Sequence, residues 1–231
     1  MRLTSPSRTS VKTIPSLKNV LCLFLAFAGF CALIFSFGGC ASHGEFGPGA
    51  GHFHTVIVDA GHGGHDQGGR SRRGKNEKIL TLDVALRLKR ELERKGFHVI
   101  LTRNSDHLIP LQKRVDIAKR YRNSIFVSIH YNHANRAGAR GIETYYYSRK
   151  SKRLAYHVQQ ELMRVFRTPN RGVKTARFYV LRNNTRPAIL AELGFLSNTT
   201  DNRYVQSSRV RQRQAEAIAR GILAESHGKR P

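Results

Sequence analysis

A glycine-rich loop after a short apolar run constrains this chain more than any other feature. Val56, Ile57 and Val58 are β-branched and lack helical spacing, so they predict a buried strand. The loop that follows lets backbone approach a bound group closely, because glycine tolerates positive φ and has no Cβ. Glu77 then opens a predicted helix, which brings it near the histidine that follows the strand. The polar residues among the loop glycines are His62, His65 and Asp66.

Predicted strands and helices alternate along the rest of the chain. Strands are predicted at 97–102, 124–129, 142–147, 178–181 and 187–190. Helices are predicted from Glu77 to Gly96, from Pro110 with Leu111, Val115 and Ala118 on one face, at 151–166 and at about 208–223. The predicted fold class is α/β, a single domain with a mostly parallel twisted sheet and helices on both faces.

Composition limits the size and surroundings of this domain. The 231 residues are 40% hydrophobic, which is enough for one domain and a tail. The formal charge of +25 favours polyanions such as nucleic acid, anionic lipid or an acidic wall polymer, without choosing among them. Cys22, Cys31 and Cys40 all precede the domain, so a metal there would need histidine and carboxylate ligands.

The N-terminal region reads as an export segment. Residues 1–40 contain a basic stretch, the uncharged apolar run 20–37 and small residues ending at Cys40. The run is either an uncleaved membrane anchor or the signal of a lipoprotein lipidated on Cys40, and we favour the second. Either way the domain lies outside the cytoplasm. A flexible linker is predicted at 41–53, the folded domain at 54–226 and a tail at 227–231.

Four residues are predicted to lie at the same edge of the sheet. His62, His130 and Glu192 follow predicted strands, and ligands of such sheets bind at the carboxyl ends of strands. Glu77 joins them through the loop. Two histidines and a glutamate with a water molecule form a known catalytic zinc arrangement. A second carboxylate would move the proton, and Glu192 suits this role because its apolar neighbours favour a raised pKa. Taken singly, each residue is more simply a satisfied polar group or a helix-dipole partner.

Five segments resemble one enzyme family, in the family's order. They are VDAGHGGHDQG at 58–68, NEK at 76–78, LTRNSD at 101–106, SIHYN at 128–132 and AELGFLSN at 191–198. They look like the zinc-dependent N-acetylmuramoyl-L-alanine amidases of the bacterial cell envelope. The resemblance implies that His62, Glu77 and His130 hold one Zn²⁺ and that Glu192 is the catalytic carboxylate. It also implies hydrolysis of the amide between N-acetylmuramic acid and L-alanine in peptidoglycan.

Two departures from the family pattern bear on function. Gln67 stands where proline is frequent, which loosens the turn but removes no ligand. Only residues 148–151 occupy the place where some relatives carry a long insertion with a blocking helix. We therefore expect activity without an obligatory activator.

Other polar residues have less defined roles. His65, Asp66 and His133 are candidate substrate-binding residues, and Arg103, Asp106 and Arg114 are expected to form a structural ion-pair network.

Three alternative functions remain. The first is a non-catalytic wall-binding envelope protein, although all four candidate residues are retained. The second is a basic nucleic-acid-binding module, which lacks a binding motif and conflicts with export, so no nucleic-acid partner is expected. The third is a serine-type wall peptidase, whose Ser-x-x-Lys signature occurs in the exported part only at Ser226–Lys229, in the tail.

Overall fold

The sheet has six strands in the order β2-β1-β3-β6-β4-β5. The computed structural model describes Ala50 and residues 52–71, 74–135 and 138–228. The strands are β1 (Thr55–Ala60), β2 (His98–Leu101), β3 (Ser124–Asn132), β4 (Ile142–Tyr146), β5 (Asn170–Thr175) and β6 (Ala188–Phe195). Only the β4–β6 pair is antiparallel, so β1, β2, β3 and β6 end at the same edge. The predicted mostly parallel sheet is confirmed.

Helices cover both faces of the sheet. They are α1 (Glu77–Glu93), α2 (Leu111–Lys119), α3 (Lys152–Val165), α4 (Tyr179–Arg182), α5 (Thr199–Val205) and α6 (Ser208–Ser226). Along β1, Val56 and Val58 join the larger core cluster with α1, α3 and α6, whereas Ile57 joins a smaller cluster with α2 and α4. This alternation arises because successive strand side chains point to opposite faces.

Several predicted elements need correction. Residues 178–181 were expected to be a strand, but Tyr179–Arg182 forms the short helix α4. The fifth strand is instead β5, a polar and largely exposed edge strand that the pattern missed. Helix α5 was also missed. Leu111 was expected to face the core, but it is 54% exposed.

Strands β3 and β6 are longer than predicted, and this changes the setting of two candidate residues. Both His130 and Glu192 lie inside strands rather than after them. They are register partners across the β3–β6 pair, and the register shifts immediately afterwards because β6 carries one extra residue before Phe195. The backbones of these two residues therefore belong to paired strands rather than to loops.

The polypeptide enters the domain at the edge opposite the strand ends. Phe53, within the predicted linker 41–53, is buried and its ring stacks on Phe97. The Ala50 N–H donates to Glu225 Oε1 at 2.6 Å. The predicted export segment at 1–40 lies outside the described residues. Within the described part of the chain, no helix has the length and apolar character needed to cross a membrane.

Candidate metal centre

Three candidate ligands converge at the carboxyl edge of the sheet. His62 follows β1, Glu77 is the first residue of α1, and His130 lies in β3. Glu77 Oε1 is 3.1 Å from His62 Nε2 and 2.9 Å from His130 Nδ1. One potential ligand atom from each residue lies within 4.8 Å of the other two, so the three side chains could hold a metal ion.

The glycine loop positions this group through contacts that leave no room for side chains. A Cβ on Gly61 would lie 2.3 Å from the His130 ring, and one on Gly68 would lie 2.5 Å from Glu77 Oε2. Gly68 also has a φ of +63°, which favours glycine. The Gly69 N–H donates to Glu77 Oε2 at 2.6 Å. The loop thus fixes the second carboxylate oxygen while the first faces the histidines.

His62 has a backbone conformation that its surroundings must maintain. Its φ of +61° is uncommon for a non-glycine residue. Arg114 Nη2 donates to the His62 carbonyl at 2.9 Å, and Arg114 Nη1 pairs with buried Asp59 at 2.7 Å. Arg103, also buried, donates to the carbonyls of Ala60 and Gly61. These two arginines hold the start of the loop.

Arg103, Asp106 and Arg114 do not form the expected ion-pair network with one another, because Arg114 pairs with Asp59 and each of the other two has separate partners. Asp106 pairs with Lys78 at 2.7 Å and accepts from the Gly64 N–H. Arg103, however, contacts mainly carbonyl oxygens rather than carboxylates. These separate contacts therefore brace the backbone of the loop.

The charges of the centre are strongly coupled. Burial opposes ionisation of Glu77, but hydrogen bonds and charge interactions with His130 and His62 dominate and hold its pKa far below the ordinary value. Burial likewise opposes protonation of His62, yet Glu77 and Asp66 together raise its pKa. Glu77 is therefore an ionised carboxylate at neutral pH.

Glu192 lies beside this group with an unsatisfied oxygen. Its side chain shares a cleft wall with His62 and His130. Oε2 is buried and has no hydrogen-bond partner among the described residues. Burial, followed by the charges of Glu77 and Glu143, raises the pKa of Glu192 well above the ordinary 4.5. A buried acceptor left unpaired is costly, and such groups are typical of functional sites.

The donor set suits a zinc ion. Two imidazoles and one carboxylate, with a position left for water, form a known catalytic zinc set. His62 Nδ1 is 2.8 Å from Asp66 Oδ2, so the ring nitrogen remote from Glu77 is held by a carboxylate. Such a carboxylate behind a histidine ligand fixes the ring orientation and tautomer in metal sites.

The three candidate substrate-binding residues have different locations. Asp66 contacts His62 and also lines the cleft of Glu192. His133 is exposed on a second, neighbouring cleft. His65 is exposed and lines neither of these two clefts.

Sequence reasoning missed Glu143, the cross-strand partner of Glu192 in β4. Glu143 is buried and pairs with Arg171 at 2.9 Å and Lys174 at 2.5 Å. The sequence did not indicate a role for Glu143, because both of its partners belong to strand β5, which was not predicted.

Fold and centre together define the candidate class as a metal-dependent hydrolase on an α/β sheet.

Comparison with known proteins identifies the family. A family profile described as N-acetylmuramoyl-L-alanine amidase matches residues 56–224. The chain is 38% identical to the uncharacterized protein YqiI of Bacillus subtilis (strain 168), covering 83% of this chain and 92% of YqiI. It is 35% identical to the N-acetylmuramoyl-L-alanine amidase LytC of the same strain, covering 74% of this chain but only 35% of LytC. The chain therefore belongs to the N-acetylmuramoyl-L-alanine amidase family, and the predicted resemblance is confirmed.

Solved structures agree with this assignment. The amidase AmiC2 of Nostoc punctiforme has a TM-score of 0.71 at 40% identity, covering 77% of this chain and 97% of that one. The CwlD amidase of Clostridioides difficile, solved in complex with the GerS lipoprotein, has a TM-score of 0.73 at 33% identity, covering 76% and 100%.

Proposed function

We propose that this chain is a zinc hydrolase that cleaves the amide between N-acetylmuramic acid and L-alanine and releases stem peptides from peptidoglycan. His62, Glu77 and His130 would hold the zinc ion. When bound, zinc would polarise the amide carbonyl and lower the pKa of a water molecule. The observation that carries the proposal is the buried, unpartnered Glu192 Oε2 beside these three ligands.

Glu192 is proposed as the general base and acid. Its carboxylate accepts a proton from the attacking water at Oε2 and then delivers it to the nitrogen of the leaving amine. A raised pKa suits both steps, because a carboxyl group that titrates nearer neutral pH can accept and return a proton. Glu77 stays ionised throughout, and Asp66 keeps the His62 ring oriented.

The choice of bond is supported by relatives rather than by the centre alone. LytC, AmiC2 and CwlV of Bacillus (Paenibacillus) polymyxa are each named N-acetylmuramoyl-L-alanine amidases. Peptidoglycan substrate and hydrolytic chemistry are thereby supported for the family. The assignment of this bond to this chain is part of the proposal.

Export and independence from an activator complete the proposal. Relatives named cell wall amidases support a location in the cell envelope. Attachment through the N-terminal segment or a lipid on Cys40, in a periplasmic setting, remains a prediction. Between β4 and α3 the structure has only the 3₁₀ turn Arg149–Ser151. Without a longer insertion at this place, we expect turnover by the purified zinc-loaded enzyme alone.

Digestion of purified peptidoglycan with mass analysis of the products tests the proposal. We expect intact stem peptides beginning with L-alanine, and their loss on chelation and in Glu192→Ala, by about 10²–10⁴-fold for the variant. Asp116→Ala, which removes a partly exposed carboxylate on α2, is the control and should retain activity. Cleavage within the peptide would contradict the bond assignment. Binding to the wall without any release would favour the non-catalytic alternative.

A further inference from the structure

An apolar cleft of about 370 Å³ adjoins the metal centre. We define it by the side chains Leu108, Leu111 and Phe178 on its wall, which it shares with His62, His130 and Glu192. These three apolar side chains are 37%, 54% and 41% exposed, and they are half of the six large hydrophobic residues exposed in the described chain. Exposed apolar groups that gather in one concave place mark a ligand groove.

The apolar cleft offers little free charge beyond the centre itself. The Asp59 and Arg114 side chains in its wall are buried and paired with each other at 2.7 Å. The Phe178 ring packs against the Tyr145 ring in an edge-to-face arrangement, with centroids 5.1 Å apart. The cleft therefore presents a braced aromatic face to an uncharged ligand.

A second cleft, of about 640 Å³, is polar and has the opposite character. We define this polar cleft by Arg70, His133, Asn135 and Asn198. Arg70 is exposed and forms no hydrogen bond or ion pair with any residue the structure describes. The Asn198 side-chain oxygen is already used by two backbone N–H groups. Among the described residues that line this cleft, Arg70 is therefore a cation without a partner.

The polar cleft also borders the metal centre. A Cβ on Gly69 would lie 3.3 Å from Glu77 Oε2 and 3.4 Å from His133 Cβ. Gly69 therefore adjoins both the ligand carboxylate and His133 in the wall of the polar cleft. A substrate whose reacting bond lies at the centre has an apolar cleft and a polar cleft within reach.

We infer that the apolar cleft receives the saccharide side of the substrate and the polar cleft receives the stem peptide, with Phe178 and Arg70 as specificity-determining residues. This inference rests on the proposed function. The saccharide is uncharged and its rings have apolar C–H faces that pack on Phe178. The stem peptide carries carboxylates, which would lose hydration without compensation in the apolar cleft. In the polar cleft, Arg70 offers the planar fork of donors that matches a carboxylate.

A crossed kinetic experiment with the zinc-loaded enzyme tests this orientation. The reference substrate is N-acetylglucosaminyl-N-acetylmuramoyl tripeptide. One comparison substrate lacks the N-acetylglucosamine, and the other has its peptide carboxylates amidated. The variants are Phe178→Ala and Arg70→Gln. The controls are Tyr147→Ala, an equally exposed aromatic residue that lines neither cleft, and exposed Arg209→Gln.

Each variant should lose one preference and keep the other. Phe178→Ala should lower kcat/KM for the reference by about tenfold and abolish the advantage of the second sugar, while the preference for free carboxylates stays. Arg70→Gln should lower kcat/KM for the reference substrate by a similar factor and abolish the preference for free carboxylates. The advantage of the second sugar should be unchanged. Both controls should behave as wild type.

A direct binding measurement separates orientation from catalysis. In NMR titrations with the disaccharide whose lactyl carboxyl is amidated and with the product tripeptide, Phe178→Ala should weaken only the disaccharide and Arg70→Gln only the tripeptide. The reverse pattern, or equal loss of both ligands in either variant, overturns the orientation. If the wild-type enzyme hydrolyses none of the three substrates, the proposed function itself is refuted, and the orientation falls with it.

Discussion

Replacing Glu192 with glutamine should stabilise the metal-free domain, and the gain should increase with pH. Burial and the charges of Glu77 and Glu143 raise the pKa of Glu192 well above its ordinary 4.5, so folding favours the protonated form. The stability that this carboxyl contributes is fully present below its unfolded pKa and is lost as pH rises through the folded pKa. Glutamine has no such proton to lose.

The size of the effect follows from the proton linkage. Between pH 4.5 and the folded pKa, the difference in unfolding free energy should grow by up to about 1.4 kcal/mol per pH unit. For a domain of this size, the gap between the two melting temperatures should widen by about 3–6 °C per pH unit. Thermal unfolding followed by circular dichroism, with chelator present and at several pH values from about 4 to 8, measures it.

Glu143 provides a control of opposite sign one strand away. Burial raises its pKa, but Lys174, Arg171 and Tyr145 outweigh this and hold the pKa below the ordinary value. Its stabilising contribution is present above the unfolded pKa of 4.5 and is lost as pH falls through the folded pKa. Glu143→Gln should therefore destabilise at neutral pH, and this loss should shrink in acid. A pH-independent gain for Glu192→Gln, or the same sign for both variants, would refute the reasoning.

Three further changes test other parts of the structure. Gly68→Ala should weaken zinc binding by well over tenfold in a competition titration, because its Cβ would strike the Glu77 carboxylate. The control is Gly96→Ala, which also has positive φ but has open space around it and should bind zinc normally. Equal losses in the two variants would contradict the idea that the loop positions the ligand. Arg114→Met should lower the free energy of unfolding by about 3–5 kcal/mol in urea, because it leaves the buried Asp59 carboxylate without its ionic partner, and an unchanged midpoint would contradict this. Cys40→Ala should abolish metabolic labelling with a palmitate analogue, and an unlabelled wild type would make the lipoprotein prediction wrong.

The central part of the site could be predicted from the sequence because residues close together in the chain form it. A β-branched run, a glycine-rich loop and a helix start bring His62 and Glu77 together. His130 and Glu192 were predicted at the correct edge because each continues an apolar strand run. The local sequence pattern is sufficient to place a site residue when one strand and the loop after it determine its position.

The sequence pattern did not predict elements that lack a distinctive local pattern or depend on contacts with distant parts of the chain. Val180 and Leu181 are buried, and a four-residue apolar run does not distinguish a strand from a helical turn. Strand β5 has no alternating apolar pattern, since it is an exposed edge strand. The partners of Glu143 are 28 and 31 residues away, and no spacing rule predicts them.

The hydrogen bond from Ala50 to Glu225 fixes the point at which the polypeptide enters the domain. Glu225 is buried and is also held by Arg153 at 2.9 Å, so the chain is fastened at the back of the domain before β1 begins. The six residues of β1 then carry the polypeptide about 20 Å through the sheet to its reactive rim. The polypeptide therefore enters the domain before the first residue of β1, whereas the candidate ligands His62, Glu77 and His130 gather beyond its last residue, so entry and candidate metal centre lie at opposite ends of one strand.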